Sequence, residues 1–126
     1  MEKRMSVYTE IDLVDAKAAI VSMIERAQKA QAKFNEGSSQ HTLQTNRIHA
    51  LQVALKLFDC RLSNCCDSEL TSDDMSRAKT PLLSLLSKSE KSSSRLAEES
   101  WQYRMLSRNI EALRIAVNLL GECISM

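Results

Sequence analysis

The chain has 126 residues (14.2 kDa), with 17 basic and 16 acidic side chains and a net charge of +1. That length suits one small domain able to bury a core without a metal or a disulfide. The near-neutral balance gives no bulk attraction toward nucleic acid or toward an acidic partner. Two glycines, one proline and 4% aromatics against abundant Ala, Leu, Ser and Lys predict an all-α chain. No apolar run approaches the length of a membrane span. The opening MEKRMSVYTEID is basic but has no apolar stretch behind it, so it does not read as a secretory signal. A cytoplasmic protein with reduced cysteines is the expectation.

Thr9-x-x-Asp12 places a hydroxyl and a carboxylate where a helix start has unpaired amides, and so predicts the beginning of a first helix. Along it Leu13, Ala16, Ile20, Met23, Ala27, Ala30 and Phe34 alternate steps of three and four, the spacing of a buried seam. Asn35-Glu36-Gly37-Ser38-Ser39 reads as a turn. A second helix follows with the stripe Ile48, Leu51, Leu55, Phe58 and Leu62. The neighbouring stripe Ala50, Ala54 and Leu57 widens its apolar face. Residues 63–70 are the predicted linker.

Thr71-x-x-Asp74 then starts a third helix with the stripe Met75, Ala78, Leu82, Leu85, Ser89, Ser92 and Leu96. Pro81 interrupts this pattern, and predicts either a kink or a helix that begins at Pro81 with Thr80 as its cap. Residues 97–101 lack glycine, so the second turn is expected to be tighter or partly helical. The fourth helix carries Ile110, Leu113, Val117, Leu120 and Ile124, flanked by Ala112, Ala116 and Leu119.

These elements repeat. Residues 9–62 align without a gap on residues 71–124, and 14 of the 54 pairs are identical, among them Thr9/Thr71, Asp12/Asp74, Ala50/Ala112, Leu51/Leu113 and Ala54/Ala116. Unrelated chains of ordinary composition would match at about three. The pattern is that of a tandem duplication of a helical hairpin. A lone hairpin leaves one apolar face wet, and two facing hairpins bury both. The predicted fold is therefore all-α: a single domain over residues 1–126, an up-down-up-down four-helix bundle with pseudo-twofold symmetry.

Candidate sites follow from this frame. Cys60, Cys65, Cys66 and Cys123 would share the pole opposite the turns, which makes them a weak candidate for a zinc site or a redox switch. Cys65 and Cys66 are adjacent and no C-x-x-C spacing occurs, so free thiols with no metal are favoured. Positive charge recurs at Lys17/Lys79, Arg26/Lys88, Lys29/Lys91 and Lys33/Arg95. The last three pairs, at i, i+3 and i+7, form stripes that could follow phosphates, against which stand interspersed glutamates and the near-neutral charge.

At the turn end, His41 and Gln44, with their copies Tyr103 and Leu106, are expected inward, packed against Ala27, Ala30, Ser89 and Ser92. Trp101 is expected to cover that end of the core. Its alternative role is an exposed anchor that, with Tyr103 and His41, binds a protein partner. His49 aligns with Glu111 and is expected in solvent.

Neither histidine has a recognisable nucleophile or carboxylate arrangement around it. There is no Gly-rich phosphate loop and no Glu-x-x-His pair, so the reading is a non-enzyme without a cofactor. The segments Asn46-Arg47-Ile48-His49-Ala50-Leu51 and Arg108-Asn109-Ile110-Glu111-Ala112-Leu113 resemble helices of small bacterial and phage proteins. The resemblance implies a bacterial or mobile-element source. The favoured function is a small binding module acting on a protein partner: an adaptor, an assembly subunit or an inhibitor. RNA or DNA binding through the basic stripes is the alternative. The chain is expected to be a monomer or a homodimer, paired in the latter case through residual stripes that include Val21, Ile24 and Leu86.

Overall fold

Threonine and aspartate set where two of the helices begin. In the computed structural model, which describes residues 8–63 and 70–124 with the side chains of 123 and 124 left aside, helix α1 spans Glu10–Gln31. The Thr9 hydroxyl accepts the Asp12 N–H at 3.0 Å, and the Asp12 carboxylate accepts the Thr9 N–H at 3.0 Å. Two amides that a helix start leaves unpaired are thereby satisfied. Helix α3, Ser72–Ser93, begins on the same reciprocal pair made by Thr71 and Asp74.

Helices α2 (Ser39–Ser63) and α4 (Trp101–Ile124) each follow directly on a serine, Ser38 and Ser100. The hydroxyls of Ser38 and Ser100 accept the N–H groups of His41 and Tyr103, each at 3.1 Å. Helix starts and caps thus recur at the spacing of 62 seen in the sequence. Among the described residues there are four helices and no strand, and no helix is long and apolar enough to cross a membrane.

The two turns correct one expectation. The second is neither tighter nor more helical than the first. Lys33, Phe34 and Ser38 donate to Ala30, Gln31 and Asn35, and Arg95, Leu96 and Ser100 donate to Ser92, Ser93 and Ala97 in the same way. Gly37 takes φ +89° in the first turn, and Glu99 stands at that place in the second. Serine and main-chain hydrogen bonds bracket both turns, so the path survives the loss of glycine. Thr80 is likewise not a cap: α3 runs unbroken through Pro81. The capping box at Thr71 starts the helix earlier, and the proline costs the one bond that its missing N–H would have given to the Arg77 carbonyl.

Helix α1 packs on α2 and α4, and α3 packs on the same two; α2 and α4 also touch across the middle, whereas α1 and α3 do not meet among the described residues. Polar links cross these seams. The Gln31 amide donates to the Thr45 hydroxyl at 2.7 Å, and Lys17 pairs with Asp59 at 2.6 Å. Arg114 pairs with Glu90 at 2.9 Å, and the Asn118 amide donates to the Tyr8 hydroxyl at 2.7 Å. Arg61 on α2 reaches Glu122 on α4 at 2.6 Å.

Ile20, Leu51, Phe58, Leu82, Leu113 and Leu120 are the largest fully buried side chains. Each contributes roughly 1.5–3 kcal/mol relative to exposure. Ala50, Ala54, Ala112 and Ala116, read from sequence as a flanking stripe, are as deeply buried as the main seam. The two helices that carry them, α2 and α4, are the pair that touches across the middle, and small buried side chains suit such an approach.

The hairpins are not equally covered. Helix α1 buries seven residues and α3 only Ala78 and Leu82. Ala19 and Ala27 of α1 are replaced in α3 by Pro81 and Ser89, and Leu85 and Leu86 remain partly exposed. Of the stripe expected to pair two bundles, Ile24 is in the core at 8% exposure, Leu86 packs against the core, and Val21 is exposed at 38%. Phe34 is not part of the seam: it lies beyond the end of α1, exposed in the turn.

Candidate partner-binding surface at the turn end

The alanine stripe explains where the structure opens. Followed back toward the turns, Ala54 and Ala50 are succeeded at helical spacing by Arg47 and Leu43; Ala116 and Ala112 are succeeded by Asn109 and Met105. A guanidinium and an amide cannot enter the dry close contact that alanines allow. There the helices part around a cleft of about 280 Å³. Met23, Ala27, Leu51 and Leu85 supply its apolar floor, and Arg26, Arg47, Gln44, Ser89 and Asn109 its polar groups.

This corrects the expected packing of the layer. His41, Gln44, Tyr103 and Leu106 are half-buried rather than enclosed. Ala27, Ala30 and Ser89 line the cleft instead of being filled from the opposite helix, and Ser92 is exposed. Small residues facing polar ones leave space above the apolar floor, because the polar side chains do not fill it as a packed apolar layer would.

Trp101 does not cover the core. It is 63% exposed in the first turn of α4, since its position precedes the first inward position of that helix. Met105, one turn later on the same side, is 43% exposed, and Leu43, 62 positions earlier, is 45% exposed. With Phe34, these form a set of large apolar side chains on and beside the two turns. His41 and Tyr103, the other two expected partner-binding residues, are half-buried in the same opening turns of α2 and α4.

The basic stripes are where the sequence places them. Arg26, Lys29, Lys33, Lys88, Lys91 and Arg95 are all exposed, and none makes an ion pair among the described residues. Lys79 is also exposed, whereas Lys17 is half-buried and tied to Asp59. Charge separates along the molecule. Residues 24–48 and 86–110, brought together at the cleft, carry nine basic and five acidic side chains, net +4. The other described segments carry six basic and eight acidic, net −2.

His49 is not in solvent. It is half-buried, with Nε2 3.3 Å from the Asp74 carboxylate, so it links α2 to the start of α3. The Asp74 carboxyl is held below the ordinary aspartate value, first by the Thr71 N–H and then by His49. The pair borders a cleft of about 500 Å³ with Lys56, Asp59 and Leu70. A smaller one, about 150 Å³, lies between Asp12 and Asp15 of α1 and Arg108 and Glu111 of α4.

Cys60 is half-buried near the end of α2. Cys65, Cys66 and the Cys123 side chain lie outside the described residues, so the expected thiol pole is not placed. Among the described residues no three His, Cys, Asp or Glu side chains gather as metal ligands do.

Arg47, Asn109, Leu43 and Met105 were not singled out by sequence reasoning. The signal was present: extending the alanine stripes toward the turns lands on all four. Comparison of the chain with family models, curated proteins and solved structures found no match.

Proposed function

We propose that the chain is a small non-enzymatic binding module of the cytoplasm, an adaptor, assembly subunit or inhibitor, that engages a protein partner with its turn end. We infer its scaffold to be an up-down-up-down four-helix bundle of pseudo-twofold symmetry, derived from a duplicated hairpin. The recurrence of caps, turns and helix starts at one spacing supports that history. The observation that carries the functional reading is the exposure of Trp101, Met105, Leu43 and Phe34 on and beside the two turns, the end at which all four helices also line an open cleft. Large apolar anchors next to a recess are what a protein interface concentrates its energy on.

The test is capture of partners from host extract by the wild-type chain and by a Trp101→Ser/Met105→Ser variant of unchanged helical content. Loss of a nuclease-resistant partner in the variant supports the reading. Equal capture by both proteins refutes it.

A second reading, nucleic-acid binding, draws on the six exposed basic residues that make no ion pair among the described residues. It requires binding of short RNA or DNA that weakens steeply with salt. Charge reversal at Arg26, Lys29, Lys88 and Lys91 must abolish that binding.

A further inference from the structure

We propose that the cleft at the turn end is a recognition pocket for an acidic amphipathic segment of the partner, in which one apolar side chain of that segment enters the cleft and its neighbouring carboxylates pair with Arg26 and Arg47. The inference rests on the protein-binding reading above and adds the chemistry of what is bound.

The size fits one side chain. An apolar cavity of about 150 Å³ accepts a benzene ring, so a cleft of about 280 Å³ takes a leucine, isoleucine or phenylalanine side chain with part of its backbone. The floor of Met23, Ala27, Leu51 and Leu85 is aliphatic, which suits an apolar side chain and offers no aromatic plane for stacking a base.

The charge fits carboxylates. Arg26 on α1 and Arg47 on α2 both line the cleft, and neither has an acidic partner among the described residues. Guanidinium groups bind carboxylates through paired, charge-assisted hydrogen bonds. The net +4 of the surrounding segments draws an acidic chain toward this end and not toward the other described segments, which carry net −2. Gln44 and Asn109 are placed to bond exposed backbone of the bound segment. An amphipathic helix laid in a groove, with acidic residues flanking an apolar anchor, matches this arrangement.

The experiment is selection of displayed random peptides, about 16 residues long, on the full chain, followed by affinity measurement of the enriched peptides by fluorescence anisotropy. Enriched sequences should set Asp or Glu within one helical turn of a Leu, Ile or Phe. Arg26→Glu and Arg47→Glu should each weaken them about tenfold or more, the scale of one charge-assisted pair. Lys29→Glu, whose side chain does not line the cleft, should cost less than about threefold. Ala30→Leu should block binding by filling the recess, and circular dichroism checks that each variant folds.

Peptides that bind with no acidic preference and are lost in Trp101→Ser/Met105→Ser, yet are indifferent to Arg26→Glu, Arg47→Glu and Ala30→Leu, would overturn the pocket and leave the binding-module reading standing. Absence of enriched peptides, with tight binding of a labelled single-stranded RNA of about 20 nucleotides, would overturn both. Absence of binding to either probe overturns the pocket.

Discussion

Truncation at equivalent positions of α1 and α3 should cost unequal amounts of stability, because the same stripe is sealed in one helix and open in the other. The informative pair is Ile24→Ala and Leu86→Ala, with Ile20→Ala and Leu82→Ala as the reference pair. Ile20 and Leu82 are both fully buried, so each truncation should cost about 3 kcal/mol, transfer plus cavity. Ile24, at 8% exposure, belongs with them. Leu86 already touches solvent, loses less transfer free energy and leaves no sealed void, so about 1 kcal/mol is expected.

The contrast is therefore about 2 kcal/mol at positions 24 and 86 and near zero at 20 and 82. In urea, with a slope of about 1.5 kcal/mol per molar, the midpoint should fall by about 2 M for Ile24→Ala and about 0.7 M for Leu86→Ala. Helical circular dichroism is the probe, since Trp101 is exposed and reports poorly on the core. Equal losses at 24 and 86 would refute the reasoning. If those losses grew with protein concentration, α3 would be covered by a second copy of the chain.

Other expectations are as direct. Trp101→Ala should change stability by less than about 0.5 kcal/mol, as for an unconstrained surface side chain, and wild-type Trp101 fluorescence should be freely quenched by acrylamide. Thr9→Ala and Thr71→Ala should each cost about 1 kcal/mol in denaturant midpoints, because each removes one arm of a capping box; a loss at only one site would show that the two boxes are not energetically equivalent. Ala54→Leu should cost about 1–3 kcal/mol by overpacking the core in which Ala54 is fully buried, readable as a drop in Tm, whereas Ser22→Leu on the exposed face should not. The Asp74 carboxyl titrates below the ordinary aspartate value when folded, so its stabilisation is complete above about pH 4 and is lost as pH falls further through the folded value. The advantage of wild type over Asp74→Asn should therefore be flat at neutral pH and vanish in acid, and an advantage that grew in acid would reverse the assigned sign.

Local chemistry was readable from the residues alone. Thr9 with Asp12 and Thr71 with Asp74 make reciprocal caps out of residues three apart, so no distant part of the chain is needed to form them. The stripes of α1, α2 and α4 were legible because helical periodicity alone decides which side chains share a face. Pro81 left two readings open, a kink within the helix or a helix start, and only the second is excluded, because the weight of an earlier cap cannot be read at the proline itself. Trp101 was misjudged because its size argues for burial, while its place in the first turn of α4, ahead of the inward positions, leaves it outside the packed layers.

The sequence by itself determined four helices, the caps of α1 and α3 and most of the apolar face of α1, α2 and α4, since these depend on residues within a turn or two of one another. Only the tertiary structure decided which faces met. Helices α2 and α4 became the touching diagonal, α3 was left less covered than α1, and His49 found Asp74 across a helix seam. The cleft arose where Arg47 and Asn109 interrupt the alanine stripes of α2 and α4, because burial, spacing and charge there depend on side chains from all four helices at once.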